Sequence, residues 1–258
     1  MFARSEQWQA TRNRVEAAAK AVGRDPESIT ILAVSKTQSP ESVIEVWRAG
    51  ARCFGENYVQ EAEAKIVTVC ALVADEIGPP IAGLSRASGL SSPEWHFIGP
   101  LQSNKTRNVA EVFDWVHSIE RLKIAERLSA QRPAGMAPIQ CCVQVNVSGE
   151  ASKSGAAPED AAGLCLALAR LPNLTLRGLM AIPEAVADPA RQREPFAALR
   201  RLADDIRARL QAELPDAAAS FDTLSMGMSG DVEAAIAEGA TIVRIGSAIF
   251  GARAPKAG

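Results

Sequence analysis

The chain holds 258 residues, 47% of them hydrophobic and 22% charged, with a formal net charge of −2. This composition excludes a disordered, collagenous or coiled-coil chain, and the near-neutral balance leaves no electrostatic footprint for nucleic acid or an anionic membrane. No apolar run approaches the roughly 20 residues of a membrane span, and the opening MFARSEQWQATRNRVEAAAK lacks a secretory core and carries Glu6 and Glu16 against a transit peptide, so a cytoplasmic location is expected.

In chain order, a leading helix is expected from Glu6 to Val22. A first apolar run, Ile31 to Ser35, reads as a strand. Ser39 and Pro40 then start a helix that Gly50 closes. Strands follow at Arg52 to Gly55, Trp95 to Gly99 and Asp114 to Ser118, with helical stretches between them. Residues Val73 to Pro93, which contain Gly78-Pro79-Pro80 and a Gly/Ser-rich tail, read as a surface insertion or mobile loop. Further strands are expected at Ile139 to Val147, Leu174 to Ile182, Asp222 to Met226 and Thr241 to Gly246. Pro158-Glu159-Asp160 opens a helix that runs to Arg170, and Glu194 to Leu214 reads as a long amphipathic helix. Eight short, buried-type strands separated by seven helical stretches count out a (β/α)8 TIM barrel with an extra N-terminal helix, occupying residues 1–258 as a single domain. A doubly wound open sheet is the runner-up.

The five cysteines, Cys53, Cys70, Cys141, Cys142 and Cys165, form no CxxC pair, and His96 and His117 are the only imidazoles. Buried, reduced thiols are expected and a zinc site is not. No GxSxG elbow accompanies His117-Ser118.

In a barrel of this kind the chemistry sits where strands end and βα loops begin. Strand one ends in Ser35-Lys36-Thr37. The Lys36 amine, crowded by apolar walls or another cation, could attack a carbonyl as a Schiff-base lysine; taken alone it reads first as a solvated strand-end lysine. Ser225 to Asp231 and Gly246-Ser247 are phosphate candidates. Their small residues let backbone N–H groups approach, and Ser229 and Ser247 add hydroxyls, unless Ser229 caps a helix and Gly246 makes a turn. Arg244 lies in an apolar strand and needs acceptors, either a structural carboxylate or a ring nitrogen of a ligand. Asn57 either bonds a ligand or closes a turn. His96 reads as a core imidazole bonded to backbone, Asn104-Lys105 as the first turn of a helix, and Lys153 as a solvated loop residue. Met180, Met226 and Met228 read as filling the barrel mouth.

The motifs AVSKT, FGENYVQE, WHFIGPLQSNK, RGLMAIP, LSMGMSGD and VRIGSAIFG, from about Ile29 to Arg253, together resemble the pyridoxal phosphate homeostasis protein family (the proline synthase co-transcribed homologues). That family is similar to the barrel domain of bacterial alanine racemase and of eukaryotic ornithine decarboxylase. The Val73 to Ser92 insertion is longer than usual for it. The resemblance implies pyridoxal 5'-phosphate (PLP) held as a Schiff base on Lys36, its phosphate on Ser229, Gly246 and Ser247, Arg244 facing the pyridine nitrogen and Asn57 close to the ring. It further implies a carrier that buffers PLP and maintains vitamin B6, and indirectly amino-acid and keto-acid, homeostasis. Apo-PLP enzymes are then the expected recipients, no nucleic acid or membrane is involved, and the chain is a monomer or weak homodimer.

The alternative is a PLP-dependent amino-acid racemase. Racemases of this fold take a second base, a tyrosine, from an additional β domain, whereas this chain ends at Gly258 shortly after strand eight and has a single tyrosine, Tyr58. An arginine at the pyridine nitrogen also weakens the electron sink, so the carrier is favoured. A phosphate-metabolite isomerase would need a carboxylate base at a strand end, where Glu56 is the only good candidate.

Overall fold

A computed structural model describes residues 3–77, 92–148, 154–184, 186 and 188–251. Eight parallel strands close into a barrel in chain order. They are β1 (Thr30–Val34), β2 (Cys53–Glu56), β3 (Glu94–Phe97), β4 (Trp115–Ile119), β5 (Ile139–Gln144), β6 (Leu174–Met180), β7 (Thr223–Ser225) and β8 (Ile242–Ile245). Helix α1 (Arg4–Ala21) leads, and α2 (Pro40–Arg48), α3 (Val59–Ile77), α4 (Thr106–Val112), α5 (Leu122–Gln131) and α6 (Pro158–Leu168) follow their strands. The outer layer continues with α7 (Pro189–Glu213), α8 (Pro215–Ser220), α9 (Val232–Ala237) and α10 (Ser247–Phe250).

Local chemistry accounts for the element ends. The Ser39 hydroxyl accepts from the Ser42 N–H, Pro40 occupies the first turn of α2, and Gly50 takes φ 111° just past its end. Buried Val43, Ile44, Val46 and Trp47 then press α2 onto the sheet. Apolar side chains between barrel and helices form the larger core, while Leu32, Ile98, Trp115, Cys142, Met180 and Ile242 form a second cluster. At Gly178 a Cβ would meet the Thr223 carbonyl oxygen at 1.8 Å, so the approach of β6 to β7 there requires glycine.

Three expectations change. The long helix begins at Pro189 rather than Glu194 and carries Pro195 inside it. Pro195 donates no helical N–H, but Phe196, Leu199, Ala203, Ile206 and Leu210, all buried at alternating spacings of three and four, hold the helix together through that point. The expected insertion is shorter at its start, because residues 73–77 belong to α3 and Val73 is buried; positions 78–91 lie outside the described residues. Short α8 was not foreseen.

Candidate functional site

At the carboxyl ends of the strands lies a cavity of about 310 Å³, and Lys36, Asn57, Ser229, Arg244, Gly246 and Ser247 all line it. Val34, Ile98, Ile182 and Phe250 give it an apolar wall. Six residues separated by up to 211 positions in the chain thus meet at one mouth, as the barrel's βα loops dictate.

Lys36 is held from both sides. The Ser35 N–H donates to the Gly55 carbonyl at 2.9 Å, and its hydroxyl donates to Glu56 Oε1 at 2.6 Å. The Thr37 N–H donates to Glu61 Oε1 at 2.6 Å. A single ammonium ties these together: Lys65 Nζ donates to Ser35 O at 2.8 Å, Glu56 Oε1 at 2.8 Å and Glu61 Oε1 at 2.9 Å. Thr37 sits at φ 65°, a left-handed conformation that is unfavourable for a β-branched residue and is kept by these bonds. The strain marks the turn at which the chain leaves β1 for the pocket.

The same network removes Glu56 as a catalytic base. Its side chain is fully buried and paired with Lys65, and it does not line the cavity. Burial pushes its carboxyl above the usual range, while Lys65 and Ser35 draw it back. The isomerase reading loses its candidate.

Arg244 is 4% exposed. Its Nη1 donates to the Ser225 carbonyl at 2.6 Å and the Ser225 hydroxyl at 2.8 Å, and its Nη2 to the Ala181 carbonyl at 2.9 Å. These acceptors are oxygens of β7 and of the residue following β6; no carboxylate ion pair is found for Arg244 among the described residues. Burial pushes the guanidinium down to about 10, with Asp231 opposing, so it stays charged at neutral pH.

Asn57 is set by a close backbone approach, since a Cβ on Gly99 would meet the Asn57 carbonyl oxygen at 2.2 Å. Its side-chain Oδ1 is buried without a hydrogen-bond partner among the described residues, an acceptor that a ligand donor would satisfy. The loop carrying Ser229 is tied to α1: Arg14 donates to the Ser229 carbonyl at 2.8 Å while pairing bidentately with Glu233 at 2.7 Å. The cap position of α9 is Asp231, so the capping role considered for Ser229 is not found. Ser247 is the first residue of α10 and Gly246 its cap position.

The described lining brings an amine, Lys36, and a guanidinium, Arg244, to the cavity and contains no carboxylate, imidazole, thiol or phenol. The place suits an anionic ligand that also carries an apolar ring.

Other expectations are corrected. His96 bonds not to backbone but to His117, Nδ1 to Nε2 at 2.8 Å, and to Glu94 at 2.9 Å. Met180 is fully buried in the smaller cluster and Met226 in the larger core; of the three only Met228 lines the cavity. Asn104 and Lys105, as expected, belong to the turn that opens the next helix, a 3-10 turn at Ser103–Lys105 that leads straight into α4, and they are not among the cavity's described lining. Lys153 lies outside the described residues. Sequence reasoning missed Lys65 and Glu61. Their i, i+4 spacing in FGENYVQEAEAK was readable, but nothing there indicated that Lys65 reaches back to Ser35.

The family model for the alanine racemase N-terminal domain matches residues 7–254. A protein of Pseudomonas aeruginosa called pyridoxal phosphate homeostasis protein is 54% identical over 240 residues, covering 93% of this chain and 91% of its own length. A protein of unknown function from Bifidobacterium adolescentis superposes with a TM-score of 0.84 at 34% identity, covering 96% of this chain and 94% of that one. PipY of Synechococcus elongatus PCC7942, solved with PLP bound, superposes with a TM-score of 0.69 at 33% identity over 92% of this chain and 99% of that one.

Proposed function

The chain belongs to the alanine racemase N-terminal domain family and, within it, to the pyridoxal phosphate homeostasis proteins, and from that premise we propose that it holds and hands on pyridoxal 5'-phosphate at the barrel mouth. The observation that carries the reading is the convergence of an amine, a buried guanidinium and two serine-bearing loops on one cavity with no carboxylate among its described lining residues. The name of the P. aeruginosa relative and the PLP in the PipY structure support it.

The residues fit the group. Lys36 is the attachment amine, held at its strand end by the clamp on Ser35 and Thr37. Ser229, Gly246 and Ser247 hold the phosphate through hydroxyls and backbone N–H groups, close to the positive charge that Arg244 brings. Asn57 Oδ1, buried and unpartnered among the described residues, stands beside the ring. Bound there, the cofactor supplies a carbonyl that condenses with amines and a pyridine ring that draws electrons. Arg244 restrains the second property, because a guanidinium only donates and so leaves the ring nitrogen an unprotonated acceptor.

This set of residues suits storage better than racemisation, which needs a second proton-transferring group across the ligand. Among the described lining residues Lys36 is the one group able to act as a base, and Tyr58 is exposed and outside the lining. We take the whole chain, 1–258, as one barrel domain that acts as monomer or weak homodimer and delivers PLP to apo-enzymes. A cytoplasmic setting fits five cysteines that are all free and a set of described helices none of which is long and apolar enough to cross a membrane. Titrating cofactor-stripped protein with PLP tests the proposal. A saturable near-ultraviolet to visible band at one equivalent, with no alanine racemisation above background, is expected. Absence of the band overturns the cofactor, and rapid racemisation overturns the carrier.

A further inference from the structure

The barrel interior holds a column of polar side chains that joins its two mouths. Glu94 and His96 are two apart on β3 and therefore share a face, His117 follows on β4, and Ser225 and Arg244 stand on β7 and β8. Glu94 Oε1 lies 2.9 Å from His96 Nε2, His96 Nδ1 lies 2.8 Å from His117 Nε2, and His117 Nδ1 lies 2.8 Å from Ser225 Oγ, which accepts from Arg244 at 2.8 Å. His96, His117 and Ser225 are at most 1% exposed, whereas the Glu94 side chain is 45% exposed and opens on a cavity of about 260 Å³ beside Arg177 and Asp222. An aligned stack on Trp115, ring centroids 5.2 Å apart and 10° from parallel, fixes the His96 ring.

The direction of the bonds follows from the Glu94 carboxylate when each ring carries one proton. A carboxylate only accepts, so His96 must carry its proton on Nε2. With one proton per ring, His96 Nδ1 accepts from His117 Nε2, and His117 Nδ1 accepts from the Ser225 hydroxyl. Arg244 only donates, so Ser225 Oγ accepts at that end and keeps its own proton available for His117 Nδ1. The carboxylate end sets this polarity and the Arg244 end is compatible with it. Burial, then His96 and Arg244, hold His117 well below the usual imidazole range and keep it neutral. Cys53 Sγ lies 3.6 Å from Glu94 Oε1 and, with His96, makes a sulfur–carboxylate–imidazole cluster within 4.8 Å. Burial, with help from Glu94, pushes that thiol up to about 12, so it serves as a weak donor to Glu94 and not as a thiolate ligand.

We propose that Glu94, His96 and His117 are positioning residues which, through the Ser225 hydroxyl, fix the guanidinium of Arg244 against the ligand's ring nitrogen. The proposal rests on the preceding reading that Arg244 faces that nitrogen. The chain commits the only proton of Ser225 away from Arg244, so a lone pair always faces Nη1. Without His117 the hydroxyl can rotate, and one of the three acceptors that orient the guanidinium is lost.

Two experiments decide it. The chain contains only two histidines, so ring-nitrogen NMR shifts of the cofactor-stripped protein report both tautomers directly. Both rings protonated at Nε2 is the expected result; a proton on Nδ1 of either ring overturns the chain. In cofactor-loaded protein, His117→Ala should weaken PLP retention about tenfold and shift its absorbance band. His117→Asn places an acceptor near the Nδ1 position for Ser225 and should stay within about threefold of the parent. His117→Gln reaches toward His96 instead and should behave like His117→Ala. Three variants that melt earlier but retain PLP and its band like the parent reduce the column to a structural role. Parent protein that takes up no PLP would sink the preceding reading and the positioning role with it, while the nitrogen shifts still decide the direction of the chain.

Discussion

Lys65→Met perturbs the clamp on Lys36 without touching the cavity. Lys65 is 4% exposed and makes three bonds of 2.8, 2.8 and 2.9 Å, one of them to the fully buried Glu56. Methionine preserves most of the buried volume but strands a carboxylate, and breaking one side of a buried pair costs about 3–5 kcal/mol. For a chain of this length that is about 10 °C in Tm. The loss should depend on pH. Burial already holds Glu56 above its ordinary value of 4.5, and removing the cation raises it further. A folded-state pKa above the unfolded one means that the folded protein binds more protons, so this contribution is present at low pH and lost as pH rises through the raised value. Paired thermal melts of parent and variant from pH 5 to 8 should show a deficit that widens with pH. Adding Glu56→Gln removes the stranded charge and should recover most of it. A deficit below about 1 kcal/mol, or one that is flat with pH, would refute the reasoning.

Gly99→Ala forces a methyl to within 2.2 Å of the Asn57 carbonyl oxygen, so it should reduce PLP uptake more than Asn57→Ala, as read by absorbance titration. Ser229→Ala combined with Ser247→Ala should weaken PLP much more than unphosphorylated pyridoxal, each hydroxyl contributing about 1.5–3 kcal/mol to a charged phosphate. Equal losses for the two ligands would place the phosphate elsewhere.

The strands were legible because parallel barrel strands are short apolar runs ending in turn residues. All eight fall within a few residues of their expected bounds, and the polar strand ends indicated which mouth to examine. The start of α7 lies five residues before the expected Glu194, on the far side of Pro195, and burial of the Phe196 to Leu210 stripe against neighbouring elements holds the helix together past that proline. Convergence of the six lining residues followed from topology. The partners of Arg244 did not, because two of its three acceptors are backbone carbonyls, which carry no side-chain signature. The histidine column was hidden for a similar reason. His96 and His117 stand 21 positions apart on neighbouring strands, and their contact depends on barrel register, which periodicity does not report.

Borohydride reduction of the PLP-loaded protein followed by peptide mapping tests the central claim most directly. The account predicts one stoichiometric pyridoxyl adduct on Lys36, in the peptide containing AVSKT, and none in Lys36→Ala protein that remains folded. An adduct on Lys65, Lys105 or Lys153 in place of Lys36, or no adduct at all, would contradict it.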